Sequence, residues 1–88
     1  MQLASMVDVV ARCIAKKDAP RTRLVAKSID GVIAAFPTVG SSLVIYRRGR
    51  SHRLVTSSVV RVLRDVDGAT VYVETRNSVY RVTLRAAL

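Results

Sequence analysis

The chain has 88 residues, half of them hydrophobic, and its fifteen Lys plus Arg against six acids give a formal net charge of +9. That is enough for one modest core and too apolar for compositional disorder; with three Tyr, one Phe and no Trp, the core must come from Val, Leu, Ile and Ala. A single cysteine, Cys13, excludes an internal disulfide, and no apolar run reaches the ~18 residues of a membrane helix.

Residues 2–17 predict an amphipathic helix. Leu3, Met6, Val7, Val10, Cys13 and Ile14 recur at three- and four-residue spacing, Gln2, Ser5, Asp8, Arg12 and Lys16 fall mainly opposite, and Val9 is the misfit. Lys16 and Lys17 suit a helix C-terminus, and Asp18-Ala19-Pro20 supplies the stop. A helix this short must dock its stripe, on the sheet, on an open barrel end or on a second copy, so the Leu3–Ile14 stripe is an expected route to a homo-oligomer. Asp8 and Arg12 interrupt the apolar character, so no signal peptide is expected and a cytoplasmic setting is the default.

Residues 21–36 read in two ways. As strands, Thr22–Ile29 and Val32–Phe36 flank Asp30-Gly31, a strong hairpin turn pair. As a helix, Leu24, Val25, Ile29, Val32, Ile33 and Phe36 recur before Pro37, but Gly31 would cost about 1 kcal/mol in its interior. The hairpin is the favoured expectation. Residues 37–41 are a loop, Leu43–Tyr46 is a short strand, and Arg47–Arg53 (RRGRSHR) forms a basic hairpin tip before Leu54 and Val55 resume the strand pattern. Thr56-Ser57-Ser58 bends the chain into its last block.

That block, Thr56–Leu84, is the clearest signal. The runs Val59–Asp65, Thr70–Thr75 and Ser78–Leu84 are rich in Val, Tyr and Thr, and Asp67-Gly68 and Arg76-Asn77 separate them. A two-residue Arg76-Asn77 loop places Thr75 opposite Ser78, Val73 opposite Tyr80 and Val71 opposite Val82 on one face. An Asp67-Gly68 turn adds Val62 opposite Val73 and Val60 opposite Thr75. The other face carries Glu74 with Val79 and Arg61, and Tyr72 with Arg81 and Leu63. Its ordinary structural explanation is cross-strand pairing of Arg61 with Glu74 and of Arg81 over Tyr72.

The expected fold class is α+β: an N-terminal helix (2–17) and a five- or six-stranded, partly open antiparallel barrel (21–84), with a short tail at 85–88, in one domain. The runs PTVGSSLVIY, TSSVVRVL and VETRNSVYRV, within residues 37–84, resemble the SH3-like small β-barrel proteins of bacteria. The likeness is one of fold and transfers no site residues.

Charge is the one extreme property. A chain this basic is drawn to polyanions, and twelve of its cations are Arg, whose planar fork suits phosphate, although a GC-rich genome also favours Arg codons. The expected site is the basic hairpin: Arg47, Arg48, Arg50 and Arg53 to follow a phosphate backbone, His52 to add a hydrogen bond, and Tyr46 to stack a base, with Arg76 exposed in a neighbouring turn. A solvated hairpin tip that guards a sheet edge is the bland explanation. The competing expectation is a protein-interaction module, such as an accessory or inhibitor protein of a mobile element, whose helix or sheet edge binds an acidic protein partner. Catalysis, metal and cofactor are not expected. Cys13 with His52 is the only nucleophile–base pair, and Cys13 reads as a small core residue. Asp65 and Asp67 read as turn residues, and Thr56, Ser57 and Ser58 as partners for backbone groups at a bend.

Overall fold

The structure, a computed structural model, describes residues 6–17 and 28–85. Six strands run in chain order: β1 (Val7–Lys16), β2 (Ser28–Ile33), β3 (Ser42–Arg47), β4 (Arg53–Arg64), β5 (Thr70–Thr75) and β6 (Ser78–Leu84). Each pairs antiparallel with the next, and β1 pairs with β6, so the sheet closes into a barrel. Among the described residues the fold is all-β, not α+β, and the barrel is closed rather than partly open. A small closed antiparallel barrel is compatible with the SH3-like likeness. No helix among the described residues is long and apolar enough to cross a membrane.

The N-terminal segment corrects the sequence reading most sharply. Val7, Val9, Ala11 and Cys13 alternate inward, Val9 and Ala11 with no exposed surface, while Asp8 and Arg12 face out. Val9, the residue that breaks the helical stripe, is the one the core needs. The apolar set satisfies both periodicities, and β-branched Val7, Val9 and Val10 tilt the balance to strand once β2 and β6 offer partners on both sides. A bulge between Cys13 and Ala15 leaves Ile14 unpaired and 39% exposed. The apolar residues therefore lie on both faces of a strand, and the helix stripe proposed for self-association does not exist; Leu3 lies outside the described residues.

The Asp30-Gly31 hairpin is a second correction, and the helical alternative fails with it: both residues sit in the middle of β2. Residues 22–27 of the expected first strand lie outside the described residues. Gly31 is there because β3 comes too close for a side chain. A Cβ on it would collide with the Tyr46 carbonyl oxygen. The β2–β3 seam is narrow, limited to Gly31↔Arg47 and Val32↔Tyr46, with the Arg48 amide donating to the Asp30 carbonyl at 2.9 Å.

The C-terminal block follows its expected register. Val71↔Val82, Tyr72↔Arg81, Val73↔Tyr80 and Glu74↔Val79 pair across β5–β6, and Arg61↔Glu74, Val62↔Val73 and Leu63↔Tyr72 across β4–β5. One pair differs. A bulge puts Val59, not Val60, opposite Thr75, so Val59 is 1% exposed and Val60 is 44% exposed. β4 is a single 12-residue strand that pairs first with β3 and then with β5, and the expected bend lies within it. At the bend the Leu43 amide donates to Thr56 Oγ1 (2.9 Å), and the Asn77 amide to Ser57 Oγ (3.2 Å). Buried Thr75 closes the β5–β6 turn, its Oγ1 accepting from the Ser78 amide (3.0 Å) and donating to the Ser78 carbonyl (3.1 Å). At the β4–β5 turn Asp67 Oδ1 accepts from the amides of Ala69 and Thr70, both at 2.9 Å. These bonds hold the Asp67 carboxyl below its usual value.

The core inside the barrel is Val9, Ala11, Ile33, Leu43, Ile45, Val59, Val71, Val73 and Val82. Its aliphatic character matches the composition, and it leaves the barrel's charges outside.

Candidate nucleic-acid interface

The β3–β4 hairpin is where the sequence placed it. β3 ends at Arg47, β4 begins at Arg53, and Gly49 adopts the positive φ of 72° that turns the tip. Tyr46, Arg47, Arg50, Ser51, His52 and Arg53 surround a shallow hollow of about 110 Å³. Tyr46 is 45% exposed and faces Arg53 across the strand pair. Arg50, His52 and Arg53 are exposed, and Arg47 is half-buried. Among the described residues, no acid lies within ion-pair distance of Arg47, Arg50 or Arg53.

Two of the expected site residues separate from this group. Arg48 turns back onto the barrel wall, donating to Asp8 at 2.8 Å and lying 3.8 Å from Asp30, which also draws Arg85 (3.9 Å). Its charge is engaged, although exposed pairs of this kind contribute at most about 1 kcal/mol. Arg76 is elsewhere. Its amide donates to the Ser58 carbonyl, and Ser58 pairs with Ser42 at the far end of β3. Ser58 is five positions along β4 from Arg53, roughly 16 Å of strand.

Pairing of β1 with β6 brings together residues that the sequence reading kept apart. Arg12 lies directly opposite Arg81, Arg81 opposite Tyr72, and Tyr72 opposite Leu63, forming one outward row across four strands. At about 4.8 Å per strand the row is roughly 14 Å long. Like charges directly opposite are unfavourable in a sheet. Arg12 donates to Ser28 Oγ at 3.1 Å, and among the described residues neither Arg12 nor Arg81 has an acid within ion-pair distance. Ser28 starts β2, two residues from Asp30, whose carbonyl holds the Arg48 amide, so the row runs toward the basic hairpin.

The expected self-pairing of the outer face is also revised. Glu74 is held by Lys17 at 2.6 Å, and that ammonium is the main cause of a lowered Glu74 carboxyl pKa, with Arg61 adding a smaller push. The one ring–guanidinium stack among the described residues joins Arg64 to Phe36 at 4.4 Å, not Arg81 to Tyr72. Arg81 is thus not stacked on the ring expected for it, while Arg61 lies opposite Glu74 and shares it with Lys17. Alternation of Val7, Val9, Ala11 and Cys13 was the signal that could have put Arg12 on the outer face of a strand.

Cys13 and His52 belong to different elements. Cys13 pairs with Tyr80 in the β1–β6 ladder and its thiol lies 3.5 Å from the Ala15 carbonyl, whereas His52 is in the β3–β4 hairpin. Among the described residues no cluster of three His, Cys, Asp or Glu could hold a metal ion. Comparison with protein-family models, with curated proteins and with solved structures finds no match to this chain.

Proposed function

We propose that the protein is a non-catalytic binder of nucleic acid that engages the phosphate backbone electrostatically. The observation that carries this reading is the cluster of Arg47, Arg50 and Arg53 around Tyr46, without an acid within ion-pair distance among the described residues. Arg forks follow phosphate and an exposed ring stacks a base, so sequence preference is small and affinity depends strongly on salt. The row of Arg12, Arg81 and Tyr72 extends the same chemistry across the sheet. A single strand suits the pair of surfaces better than a duplex, because the rings need unstacked bases.

The test is a salt titration against single-stranded RNA, single-stranded DNA and duplex DNA. Three loop arginines neutralising three phosphates give a slope of log K on log salt near about −2.7 on duplex DNA. On a single strand all five arginines give about −3.5. Changing Arg47, Arg50 and Arg53 together to Ala should remove the loop's share of the slope and weaken binding to every sequence alike. Unchanged affinity in that variant removes the loop from the function.

A further inference from the structure

A second surface, on the opposite side of Tyr46 from the basic hollow, has different chemistry. Strand pairing between β2 and β3 stops at Val32↔Tyr46, and the chain then leaves the sheet through residues 34–41. β3 continues without that neighbour. The Ser41 carbonyl accepts from the Val59 amide and the Leu43 amide donates to Thr56, both at 2.9 Å, so these residues turn their backbone groups toward β4. Backbone groups alternate along a strand, so Ser42 and Val44 turn theirs the other way. Among the described residues no backbone bond reaches the amide or carbonyl of either one from the 34–38 stretch.

Beside this edge lies a hollow of about 310 Å³, lined by the apolar residues of 34–37 with Leu43, Val44 and Tyr46, and by the hydroxyl-bearing Thr38, Ser41 and Ser42. Phe36 and Tyr46 remain 38% and 45% exposed, although each is large and apolar enough to be buried. A strand edge that no described residue pairs, next to a largely apolar trough, accepts an added strand: main-chain bonds give affinity, and the trough reads alternate side chains. The charges at its ends are of one sign. Arg64 stacks over Phe36, and Arg47 and Arg53 adjoin Tyr46. No acid lines the hollow.

We infer that the β3 edge at Ser42–Val44 and its apolar hollow bind an extended, acidic segment of a partner protein as an additional strand. The segment places apolar side chains at alternate positions over Phe36 and Val44 and carboxylates beside Arg64 and Arg53. A second copy of this chain fits poorly, because its net charge of +9 repels another. A nucleic-acid strand does not offer alternating donors and acceptors at the repeat of a β-strand, and it leaves the apolar lining uncovered.

The experiment is a selection of displayed random 12-residue peptides on the full chain, followed by amide exchange with a synthesised hit. Enriched peptides are expected to alternate apolar residues and carry flanking Asp or Glu, and to protect the Ser42 and Val44 amides. N-methylation of the hit at alternate positions should weaken it at least tenfold, since it removes the donors but not the side chains. Val44→Pro should do the same; if that variant unfolds, Ala35→Arg, from an exposed position in the trough, must give the loss instead. Failure to enrich peptides, binding that survives the variants, or an oligonucleotide that protects the same two amides overturns the inference. These outcomes turn on the Ser42 and Val44 backbone and the trough, whereas the salt titration of the loop variant reads nucleic-acid binding, so either reading can fail without the other.

Discussion

Substituting Gly31→Ala discriminates, by the sign of its effect, between a strand position with room for a side chain and one closed by the approach of β3. In a strand with room for a side chain, Ala is more stable than Gly by roughly 0.5–1 kcal/mol, because Gly loses more conformational freedom on folding. Here the added methyl would meet the Tyr46 carbonyl oxygen and come within 3.0 Å of Ile45 Cγ2. The obstacle is the backbone of β3, which has no rotamer to change. Relief requires β2 and β3 to separate where only two register pairs join them. Overpacking of this kind costs about 1–3 kcal/mol, and an obstacle made of backbone puts this contact in the upper half of that range, so the net effect is a loss of about 1–2 kcal/mol. For a domain of this size that lowers the thermal midpoint by roughly 5–15 °C. Thermal and urea unfolding followed by circular dichroism measure it. A midpoint that is unchanged or raised would refute the close-approach argument.

Three further outcomes follow from the charges and the register. Arg50→Ala should reduce both affinity for single-stranded nucleic acid and the salt slope, whereas Arg48→Ala should change them less, because Arg48 is engaged by Asp8 and Asp30; equal losses in a salt titration would show that those pairs open on binding. Val59→Lys should unfold the barrel and Val60→Lys should be tolerated, since the β4 bulge buries the first and exposes the second; one-dimensional NMR dispersion reports the difference, and the reverse order would place the bulge elsewhere. Asp67 has a folded-state pKa below its ordinary value near 3.8, so its ionised form contributes stability that is present above that value and lost as pH falls through the lowered one. The thermal midpoint of Asp67→Asn should therefore lie below wild type at pH 6, and the gap should close as pH drops below about 4. A gap that persists in strong acid would mean that the carboxylate charge is not the cause.

The parts of the fold legible in the sequence are those fixed by neighbours a few residues away. Thr70–Leu84 alternates cleanly about a short turn, and its register needs no information from the rest of the chain. Long-range geometry decided the remainder. Residues 7–16 carry apolar positions that fit a period of 3.6 nearly as well as 2, and only the presence of β2 and β6 selects the strand. Asp30-Gly31 has turn composition, but Gly31 answers to the β3 backbone rather than to a turn. The Val60 bulge has no local marker, since Val59 and Val60 are identical residues and one must be extruded. The site divides along the same line. Arg50, His52 and Arg53 stand together because they are close in sequence, whereas the Arg12–Arg81 pair and the capture of Arg48 by Asp8 each depend on contacts across the whole chain. Arg76 shares only its charge with the loop, and the length of β4 separates them.

Barrel closure also sets an order of events in time. The β1–β6 seam joins Val9 to Leu84 and Arg12 to Arg81, so β1, made first of the six strands, gains its second neighbour only after the last has been synthesised. Contacts so distant along the chain make folding slow relative to helical domains of the same size. Until then β1 offers one unpaired edge, and the same apolar spacing that reads as a helix gives the nascent segment a transient alternative to exposing it. At ~5–20 residues per second, the chain spends several seconds of its synthesis between making β1 and making β6. Premature termination before β6 would leave a sheet with two open edges, which makes such truncated products an aggregation hazard although five of the six strands are present.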